Sequence, residues 1–377
     1  MNKSILITGG AGFIGSNLAL RLIKKGYNVT VLDNLSPQIH GDETQESPLY
    51  QSIKDKVNFI HGDVSLMEDW MKALIGQDAI IHLAAETGTG QSMYEIEKYV
   101  DVNVRGTALL LDYLANEKHQ VKKVIVASSR AIYGEGKYYC TEHKFVYPAD
   151  RNEELLSKGN FELRCPVCDR ELELTGTDEE SKIHPKSIYG ITKQNQEQMV
   201  LVVCKSLGIP AVAFRYQNVY GPGQSLSNPY TGILSIFSTR ILNNNPINIF
   251  EDGKESRDFV YIDDVVRATI IGLENEQAND EVYNVGSGVN TDVLTVANKL
   301  KELYNSNVDI KVTGNYRLGD IRHNYADLTR IKQLGFAPQV SFEEGIALFA
   351  GWVKTQAVQR DDYELSINEM RDKGLFK

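Results

Sequence analysis

A tyrosine and a lysine four positions apart are the residues of this sequence best suited to moving a proton. They are Tyr189 and Lys193, in the segment 187–193. On a helix, positions i and i+4 lie on one face with their Cβ atoms about 5–6 Å apart. A phenol has an ordinary pKa of about 10, and a neighbouring ammonium group stabilises the phenolate and lowers that pKa. The pair predicts a tyrosine that acts as a general acid or base, although the same spacing is also found on solvated helix faces.

A glycine-rich turn near the N-terminus is suited to holding phosphate groups. It follows an apolar segment at residues 4–8 and precedes an amphipathic helix, after which a second apolar segment, 28–32, ends at Asp33. Its glycines are Gly9, Gly12 and Gly15. Glycine lets the backbone approach a diphosphate, and a helix N-terminus offers unpaired N–H groups and the positive end of a dipole. The pattern predicts a βαβ dinucleotide-binding unit.

Asp33 selects between two forms of such a dinucleotide. It lies 18 residues after Gly15, where an acidic residue accepts hydrogen bonds from the adenosine ribose. A carboxylate at this point repels the 2′-phosphate of NADP, and the residues that follow, 34–36, supply no arginine or lysine to receive one. The sequence therefore favours NAD.

The elements that must position these residues alternate between strands and helices as far as about residue 135. The near-continuous apolar segments 57–60, 79–83 and 124–127 are typical of strands buried on both faces of a parallel sheet. Ligands of such sheets bind at the carboxyl ends of the strands. Polar or small residues lie at these ends, among them Asp63, Ala84 and Ser129. We predict an α/β fold of the Rossmann type with a doubly wound parallel sheet.

Composition restricts the classes of function. Of 377 residues, 42% are hydrophobic and 24% are charged, as is usual in globular proteins. We find no apolar run of about 18 residues or more, so no membrane span is expected. A formal net charge of −10 without a basic tract argues against nucleic-acid binding. Because a strand is predicted directly after Met1-Asn2-Lys3, no signal peptide is expected and the protein should be cytoplasmic.

Taken together, these motifs resemble the extended short-chain dehydrogenases/reductases, specifically the nucleotide-sugar epimerases and dehydratases. The resemblance covers residues 1–135 and 185–350. Its motifs, each highly specific, lie at residues 8–15, 82–85, 103–107, 128–134, 189–193, 215–223 and 257–265.

The resemblance implies roles for particular residues. The catalytic set would be Ser129, Tyr189 and Lys193. A nucleoside-diphosphate sugar would be bound by Glu86, Ser129, Arg130, Asn218, Arg257, Arg317 and Asp320. NAD would be bound by Gly9, Gly12, Phe13, Ile14, Gly15, Asp33, Asn34, Asp63, Val64, Leu83, Ala84, Ala85, Asn103, Tyr189, Lys193 and Tyr216. Outside the motifs, an arginine such as Arg257 or Arg317 would more simply belong to a surface ion pair.

The resemblance also narrows the reaction. Related 4,6-dehydratases carry an Asp-Glu pair after the catalytic hydroxyl residue, whereas this sequence has Arg130-Ala131, which cannot exchange a proton at neutral pH. Related reductases usually need a phosphorylated cofactor, which Asp33 disfavours. We therefore expect 4-epimerisation with NAD retained. The alternatives are an epimerase of another nucleotide sugar (a UDP-, GDP- or CDP-sugar) and a nucleotide-sugar 4-ketoreductase. A catalytically silent NAD-binding scaffold is a more distant one.

Residues 136–184 form an insert that departs from the general family pattern. Cys140 and His143 form one pair, Cys165 and Cys168 a second, and 21 residues separate the two pairs. Four such ligands suit tetrahedral zinc and leave no coordination position open for catalysis. A disulfide is the alternative in an oxidising compartment, and a surface loop with incidental thiols is another. The remaining cysteine, Cys204, lies in an apolar helix and is expected to be buried.

The insert and its flanking motifs most resemble the dTDP-L-rhamnose 4-epimerase branch, whose products serve bacterial surface polysaccharides. We expect an NAD-binding domain at residues 1–215, including the insert, and a mainly substrate-binding cap at 216–377 with some segments returning to the first domain. The segment 228–232 should be a loop over the sugar, and the charged tail from Arg360 a solvated helix or partly disordered. Helices at 95–116 and 188–207 would form the homodimer interface usual in relatives.

Overall fold

A computed structural model of the protein describes residues 3–230 and 232–377. Met1 and Asn2, ahead of the first expected strand, and Thr231, in the expected loop 228–232, lie outside these residues. No helix in the described part of the chain is long and apolar enough to cross a membrane.

The strands are β1 Ser4–Thr8, β2 Asn28–Asp33, β3 Asn58–His61, β4 Ala79–His82, β5 Lys123–Ser129, β6 Tyr138–Cys140, β7 Lys144–Val146, β8 Glu173–Leu174, β9 Ala211–Tyr216, β10 Asn218–Tyr220, β11 Ile247–Ile249, β12 Ser256–Arg257, β13 Phe259–Tyr261, β14 Glu281–Val285, β15 Thr291–Asp292, β16 Ile310–Val312 and β17 His323–Asn324.

The α-helices are α1 Phe13–Lys24, α2 Pro37–His40, α3 Pro48–Ile53, α4 Met67–Ala73, α5 Ile96–Tyr99, α6 Gly106–Asn116, α7 Glu153–Ser157, α8 Ile188–Leu207, α9 Ile233–Leu242, α10 Ile262–Glu274, α11 Val293–Leu303, α12 Thr329–Lys332, α13 Phe342–Val353 and α14 Tyr363–Asp372. A π-helical segment, Val100–Arg105, joins α5 to α6. Short 3₁₀ turns lie at Thr44–Glu46, Gln91–Met93, Arg130–Tyr133 and Glu276–Ala278.

A seven-stranded parallel sheet confirms the expected Rossmann-type fold. Its strand order is β14-β9-β5-β4-β1-β2-β3. Strands β2 and β3 are added on one side of β1 and strand β4 on the other, so the order of strands reverses between β1 and β4, which are parallel. Alternate residues of β1 face opposite sides: Ile5 and Ile7 belong to one buried cluster, and Leu6 belongs to another. Because both faces are covered, the carboxyl ends of the strands are where a ligand can reach the sheet.

The cap consists of small sheets and helices drawn mainly from the second half of the chain. β10 pairs with β13, β11 with β16, and β12 lies between β15 and β17. The apolar cluster on the α1 side of the sheet continues without interruption into α11 and α13 of the cap. Residues 281–285 leave the cap to form the edge strand β14, which pairs with β9. The sheet and the cap therefore share one core.

The insert folds into a small antiparallel sheet in the order β7-β6-β8. Its apolar cluster contains Tyr138, Cys140, Val146, Leu163 and Cys165 as buried members. With five buried members, this core is small. Two of them, Cys140 and Cys165, are expected metal ligands.

The C-terminal tail differs from its expected state. Helix α14 is present, but it is packed and is not solvated on all sides. Tyr363, Ile367 and Met370 form a buried stripe at helical spacing and, with Phe376, pack against neighbours that include Phe250. The charged residues between these positions concealed the apolar periodicity.

Candidate active site

Helix α8 presents the two proton-handling residues at its N-terminal end. The Ser187 hydroxyl accepts a hydrogen bond from the Gly190 N–H and caps the helix, which ends at Gly208 in the left-handed conformation (φ 68°). Tyr189 and Lys193 lie in its first two turns. Both residues line a cavity at the carboxyl ends of β1, β4 and β5, together with Ser129. The structure therefore brings the three expected catalytic residues to one cavity.

The protonation of Tyr189 is controlled differently from the expectation based on Lys193. Burial raises the pKa of Tyr189, whereas a hydrogen bond with Ser129 and the charge of Arg130 lower it. The Lys193 ammonium donates to Gln196 Oε1 at 2.6 Å, and burial lowers the pKa of Lys193 to about 7. The prediction that Lys193 brings the Tyr189 pKa towards neutrality is not supported, because burial has the largest effect on both pKa values. It raises the pKa of Tyr189 and lowers that of Lys193.

Lys193 belongs to a buried polar chain that reaches the first strand. Gln196 donates from Nε2 to the Thr107 hydroxyl at 2.9 Å, and His82 lies between Thr107 (3.0 Å) and the Thr8 hydroxyl (2.7 Å). Burial lowers the pKa of His82 to about 3, so its ring is neutral. This chain fixes Lys193 relative to β1 and β4.

The same cavity contains most of the expected cofactor residues. Those in its wall are Gly9, Gly12, Phe13, Ile14, Gly15, Asp33, Asn34, Val64, Leu83, Ala84, Ala85 and Tyr216, and Glu86, expected to contact substrate, also lies there. Asp63 and Asn103 are not part of this wall. The Asp63 carboxylate accepts from the Asn34 amide at 2.9 Å. Asn103 is fully buried and exchanges hydrogen bonds with the backbone of Glu86.

The wall fits a dinucleotide. A Cβ atom at Gly15 would lie 2.6 Å from the Gly10 Cα, so the turn closes only with glycine. No acidic residue lies in the first turn of α1, whose N-terminal N–H groups remain available for phosphate. Asp33 accepts backbone N–H groups of Ala11 and Leu35, both at 2.9 Å, and so also holds the turn together.

Polar atoms without hydrogen-bond partners also line this cavity, and no sequence pattern indicated them. They are the Ser128 hydroxyl oxygen, both amide atoms of Gln217 and Gln224 Oε1, all buried within the described part of the chain. Buried polar atoms are normally paired, so these atoms fit a ligand rich in amide, hydroxyl and phosphate groups. Gln217 is the variable position of the 215–223 motif, which is why the motif did not indicate it.

A second cavity brings together the expected substrate residues Arg130, Asn218, Arg257, Arg317 and Asp320. Arg130 donates from Nε to Asn218 Oδ1 at 3.0 Å. Arg257 donates to the carbonyl oxygens of Ser256, Ile321 and Arg322 at 2.7–2.9 Å. These acceptors are neutral, so the charges of Arg130 and Arg257 are available for an anion. Arg317 donates to Asp320 Oδ2 at 2.7 Å.

Two further features of this second cavity were missed. Helix α14 contributes Tyr363, Ser366, Ile367 and Met370 to its wall. Glu255 also lines it, and burial raises the pKa of that carboxyl to about 7. Neither feature belongs to a recognisable motif. Helix α14 shows only an apolar periodicity within a charged tail, and Glu255 is a single carboxylate.

The four expected metal ligands form a cluster in the insert. Their ligand atoms lie within 4.8 Å of one another. His143 Nδ1 is 3.8 Å from Cys140 Sγ and 3.7 Å from Cys165 Sγ, and the sulfur atoms of Cys140 and Cys168 are 3.7 Å apart. All four cysteines of the chain are free thiols, so the disulfide alternative is not realised.

Comparisons with known proteins agree with this geometry. The family model of the NAD dependent epimerase/dehydratase family matches residues 5–153 and 167–286. A dTDP-L-rhamnose 4-epimerase of Burkholderia thailandensis is 37% identical over 93% of this chain and 95% of its own. The unmatched residues 154–166 lie in the insert.

Solved structures show the same likeness. A UDP-glucose 4-epimerase of Thermotoga maritima with UDP-glucose has a TM-score of 0.74 and 30% identity, over 93% of this chain and 98% of its own. A UDP-glucuronic acid 4-epimerase of Bacillus cereus, in complex with UDP-glucuronic acid and NAD, has a TM-score of 0.75 and 27% identity, over 93% and 99%. These matches confirm the expected class of enzyme, and the chain belongs to the NAD-dependent epimerase/dehydratase family.

Proposed function

We propose that this enzyme is an NAD-dependent 4-epimerase of a nucleoside-diphosphate sugar. The favoured reaction converts dTDP-L-rhamnose to dTDP-6-deoxy-L-talose, in the biosynthesis of bacterial surface polysaccharide. The substrate assignment is supported by the Burkholderia relative, and the Arg130-Ala131 pair supports epimerisation over dehydration.

One observation carries this proposal: the two cavities meet at the ends of β5 and β9. Ser129 lines the first cavity and Arg130 the second, while Gln217 lines the first and Asn218 the second. A sugar attached to an anion held by Arg130, Arg257 and Arg317 would therefore reach Ser129 and Tyr189 from the cap side.

The chemistry follows from the groups at this junction. NAD, when bound, would accept a hydride from C4 and return it. Tyr189 would take the proton of the C4 hydroxyl, while Ser129 shares the hydrogen bond to that oxygen. The 4-keto sugar would turn over in the cavity, receive the hydride on its other face and recover the proton from Tyr189. Lys193 would hold the nicotinamide ribose.

The wall does not favour dehydration. Burial and the neighbouring Arg257 lower the pKa of Arg130 only to about 9, so its guanidinium stays protonated at neutral pH. Neither Arg130 nor Ala131 can remove a proton from C5 or supply one to a leaving C6 hydroxyl.

Product analysis tests this function. The purified protein is incubated with dTDP-, UDP-, GDP- and CDP-sugars, including dTDP-L-rhamnose, and products are followed by NMR. The expected product is the C4 epimer, formed without net use of NADH and without solvent deuterium at C4 when the reaction is run in D₂O. Net reduction of added NAD to NADH, with a 4-keto sugar as the product, would instead identify a 4-ketoreductase running in reverse, and NAD binding without conversion of any sugar would identify a scaffold.

The remaining assignments belong to the same proposal. Residues 1–215 would be the NAD-binding domain with the insert 136–184, and residues 216–377 mainly the substrate cap. The cofactors would be NAD and a structural zinc ion held by Cys140, His143, Cys165 and Cys168. Helices α5, α6 and α8 would form a homodimer interface.

A further inference from the structure

We propose that a zinc ion bound by Cys140, His143, Cys165 and Cys168 folds the insert into a rigid support for the substrate-binding loop 316–322. The support acts through Arg151, which becomes a positioning residue for substrate binding. This inference rests on the proposed function for the identity of the ligand, a nucleoside diphosphate, but not for its test.

Three of the six separations between the ligand atoms match a tetrahedral zinc site, and all six lie within 4.8 Å. Zinc lies about 2.3 Å from sulfur and about 2.0–2.1 Å from imidazole nitrogen, which in a tetrahedron places the ligand atoms about 3.5–3.8 Å apart. The three measured separations are 3.7–3.8 Å.

Two tight turns present the ligands to each other. Cys140 and His143 flank the turn between β6 and β7, where Lys144 adopts a left-handed conformation (φ 62°). Cys165 and Cys168 flank a second turn, which is closed by the pairing of Arg164 with Glu171 and has Asp169 in a left-handed conformation (φ 57°). Cys140 and Cys165 are buried, so the turns face each other across the centre of the insert.

The core that the insert builds from its own residues is small. Its buried cluster contains three non-cysteine residues, Tyr138, Val146 and Leu163. Units of this size normally depend on a metal or on disulfides for stability, and here the cysteines are free thiols. A bound metal would supply the missing cross-link.

From this unit, the segment 151–162 reaches the loop that carries Arg317 and Asp320. Arg151 donates from one terminal nitrogen to the Asp320 carbonyl at 2.7 Å and from the other to Glu251 Oε1 at 2.6 Å. Its side chain is 6% exposed, so these bonds are protected from water. Leu156 and Phe161 pack with Tyr316 and Leu318, the residues on either side of Arg317.

The same segment also supports Arg257 through Arg322. The Arg322 guanidinium is fully buried and pairs with Glu162 of the insert and with Glu251 and Asp252 of the cap. The two terminal nitrogens of Arg257 in turn donate hydrogen bonds to the carbonyl oxygens of Arg322 and Ile321, one to each. Two of the three arginines proposed to hold the diphosphate, Arg257 and Arg317, are therefore oriented by a loop that the insert holds.

The metal is tested first, on the full chain expressed with added zinc. Elemental analysis should give about one zinc per chain. Cys168→Ala should lose it, whereas Cys204→Ala, at the cysteine buried in α8, should keep it. Cobalt substitution should give the visible spectrum of tetrahedral thiolate coordination. Zinc-free wild type, or a full zinc content in Cys168→Ala, would overturn the metal assignment.

The mechanical link is tested by binding, so a wrong reaction assignment would not affect the outcome. Titration calorimetry with UDP and dTDP should show Arg151→Ala binding the preferred nucleotide about tenfold more weakly or worse, with zinc content and NAD affinity unchanged. Arg151→Lys should recover part of the loss, and Arg164→Ala, at an exposed arginine of the same insert, should resemble wild type. Unchanged nucleotide affinity in Arg151→Ala would overturn the link, and equal loss of NAD affinity would show general unfolding instead.

Discussion

Tyr189 lies where burial opposes the very ionisation that proton transfer requires. Burial raises its pKa, and only Ser129 and Arg130 act in the opposite direction. Its reactivity in the proposed mechanism therefore depends on Ser129 and Arg130, and less on Lys193 than the i, i+4 spacing suggests.

Replacing Tyr189 by Phe removes the hydroxyl and keeps the ring. We expect turnover of the preferred nucleotide sugar to fall by about 10²–10⁴-fold, because the hydroxyl proposed to exchange the C4 proton is lost, while NAD affinity by calorimetry stays near that of wild type. Tyr27→Phe is the matched control, since its hydroxyl donates to Glu274 on the exposed surface. Near-normal turnover in Tyr189→Phe would be incompatible with the mechanism.

Glu255 places a titratable carboxyl among the arginines of the second cavity. Burial and the nearby Glu251 raise its pKa to about 7, whereas Arg257 and Arg322 lower it. Below that pH the group is neutral, and above it the carboxylate repels the diphosphate. Because the folded-state pKa is raised, the same group also stabilises the fold less as pH rises from about 4.5 to about 7.

Affinity for a nucleotide sugar should therefore fall as pH rises through about 7, by at most tenfold per pH unit. UDP-glucose is a suitable probe because its diphosphate does not titrate in this range. Calorimetry at several pH values should show this slope in wild type, a flatter profile in Glu255→Gln, and the wild-type slope in Glu302→Gln, at an exposed surface residue. An affinity that rises with pH would contradict the assignment.

At the scale of elements, the glycine turn between β1 and α1 depends on close backbone approach. The turn holds three structures at once: the strand end, the helix N-terminus and, through Asp33, the end of β2. It can do so because Gly15 allows the backbone of Gly10 to lie against it.

Gly15→Ala should consequently weaken NAD binding by about tenfold or more, since the turn must shift to make room for the added Cβ, and should destabilise the fold by about 1–3 kcal/mol. Thermal unfolding and NAD titration measure the two effects separately. Gly351→Ala, in α13 where an added Cβ meets nothing within 4 Å, is the control and should not destabilise the protein. Equal behaviour of the two variants would argue against the proposed role of the turn.

At the scale of the whole molecule, exposed apolar side chains lie on helix α8 and on the neighbouring segment formed by α5 and the π-helical turns. Ile191 and Val202, on one face of α8, are 42% and 69% exposed, and Ile96 and Val100, on α5 and the π-helical segment, are 48% and 43% exposed. Side chains of this kind on neighbouring helices suit a symmetric four-helix contact between two copies of the chain.

Val202→Asp should convert a dimer to monomers, because a two-fold interface would bury the new charge twice. Sedimentation velocity at micromolar concentration measures the effect. Val358→Asp is the control, because Val358 is also exposed (60%) and lies outside these helices. A monomeric wild type would show that there is no such interface. A dimer unaffected by Val202→Asp would show that the interface lies elsewhere.

The sequence by itself determined the features that depend on local spacing. The glycine turn, Asp33 at a strand end, the Tyr189–Lys193 pair and the two ligand pairs of the insert are short-range patterns, and each lies in the expected kind of element. The parallel sheet followed from apolar segments long enough to be buried on both faces.

Only the tertiary structure decided which distant groups share an environment. It placed Gln217 and Glu255 in cavity walls, packed α14 over the second cavity and joined Arg151 to the loop of Arg317. Burial and long-range contacts set the pKa of Tyr189 and Lys193, and these depend on chain segments far apart in sequence. Local periodicity contains no information about such contacts, so they could be obtained only from the folded chain.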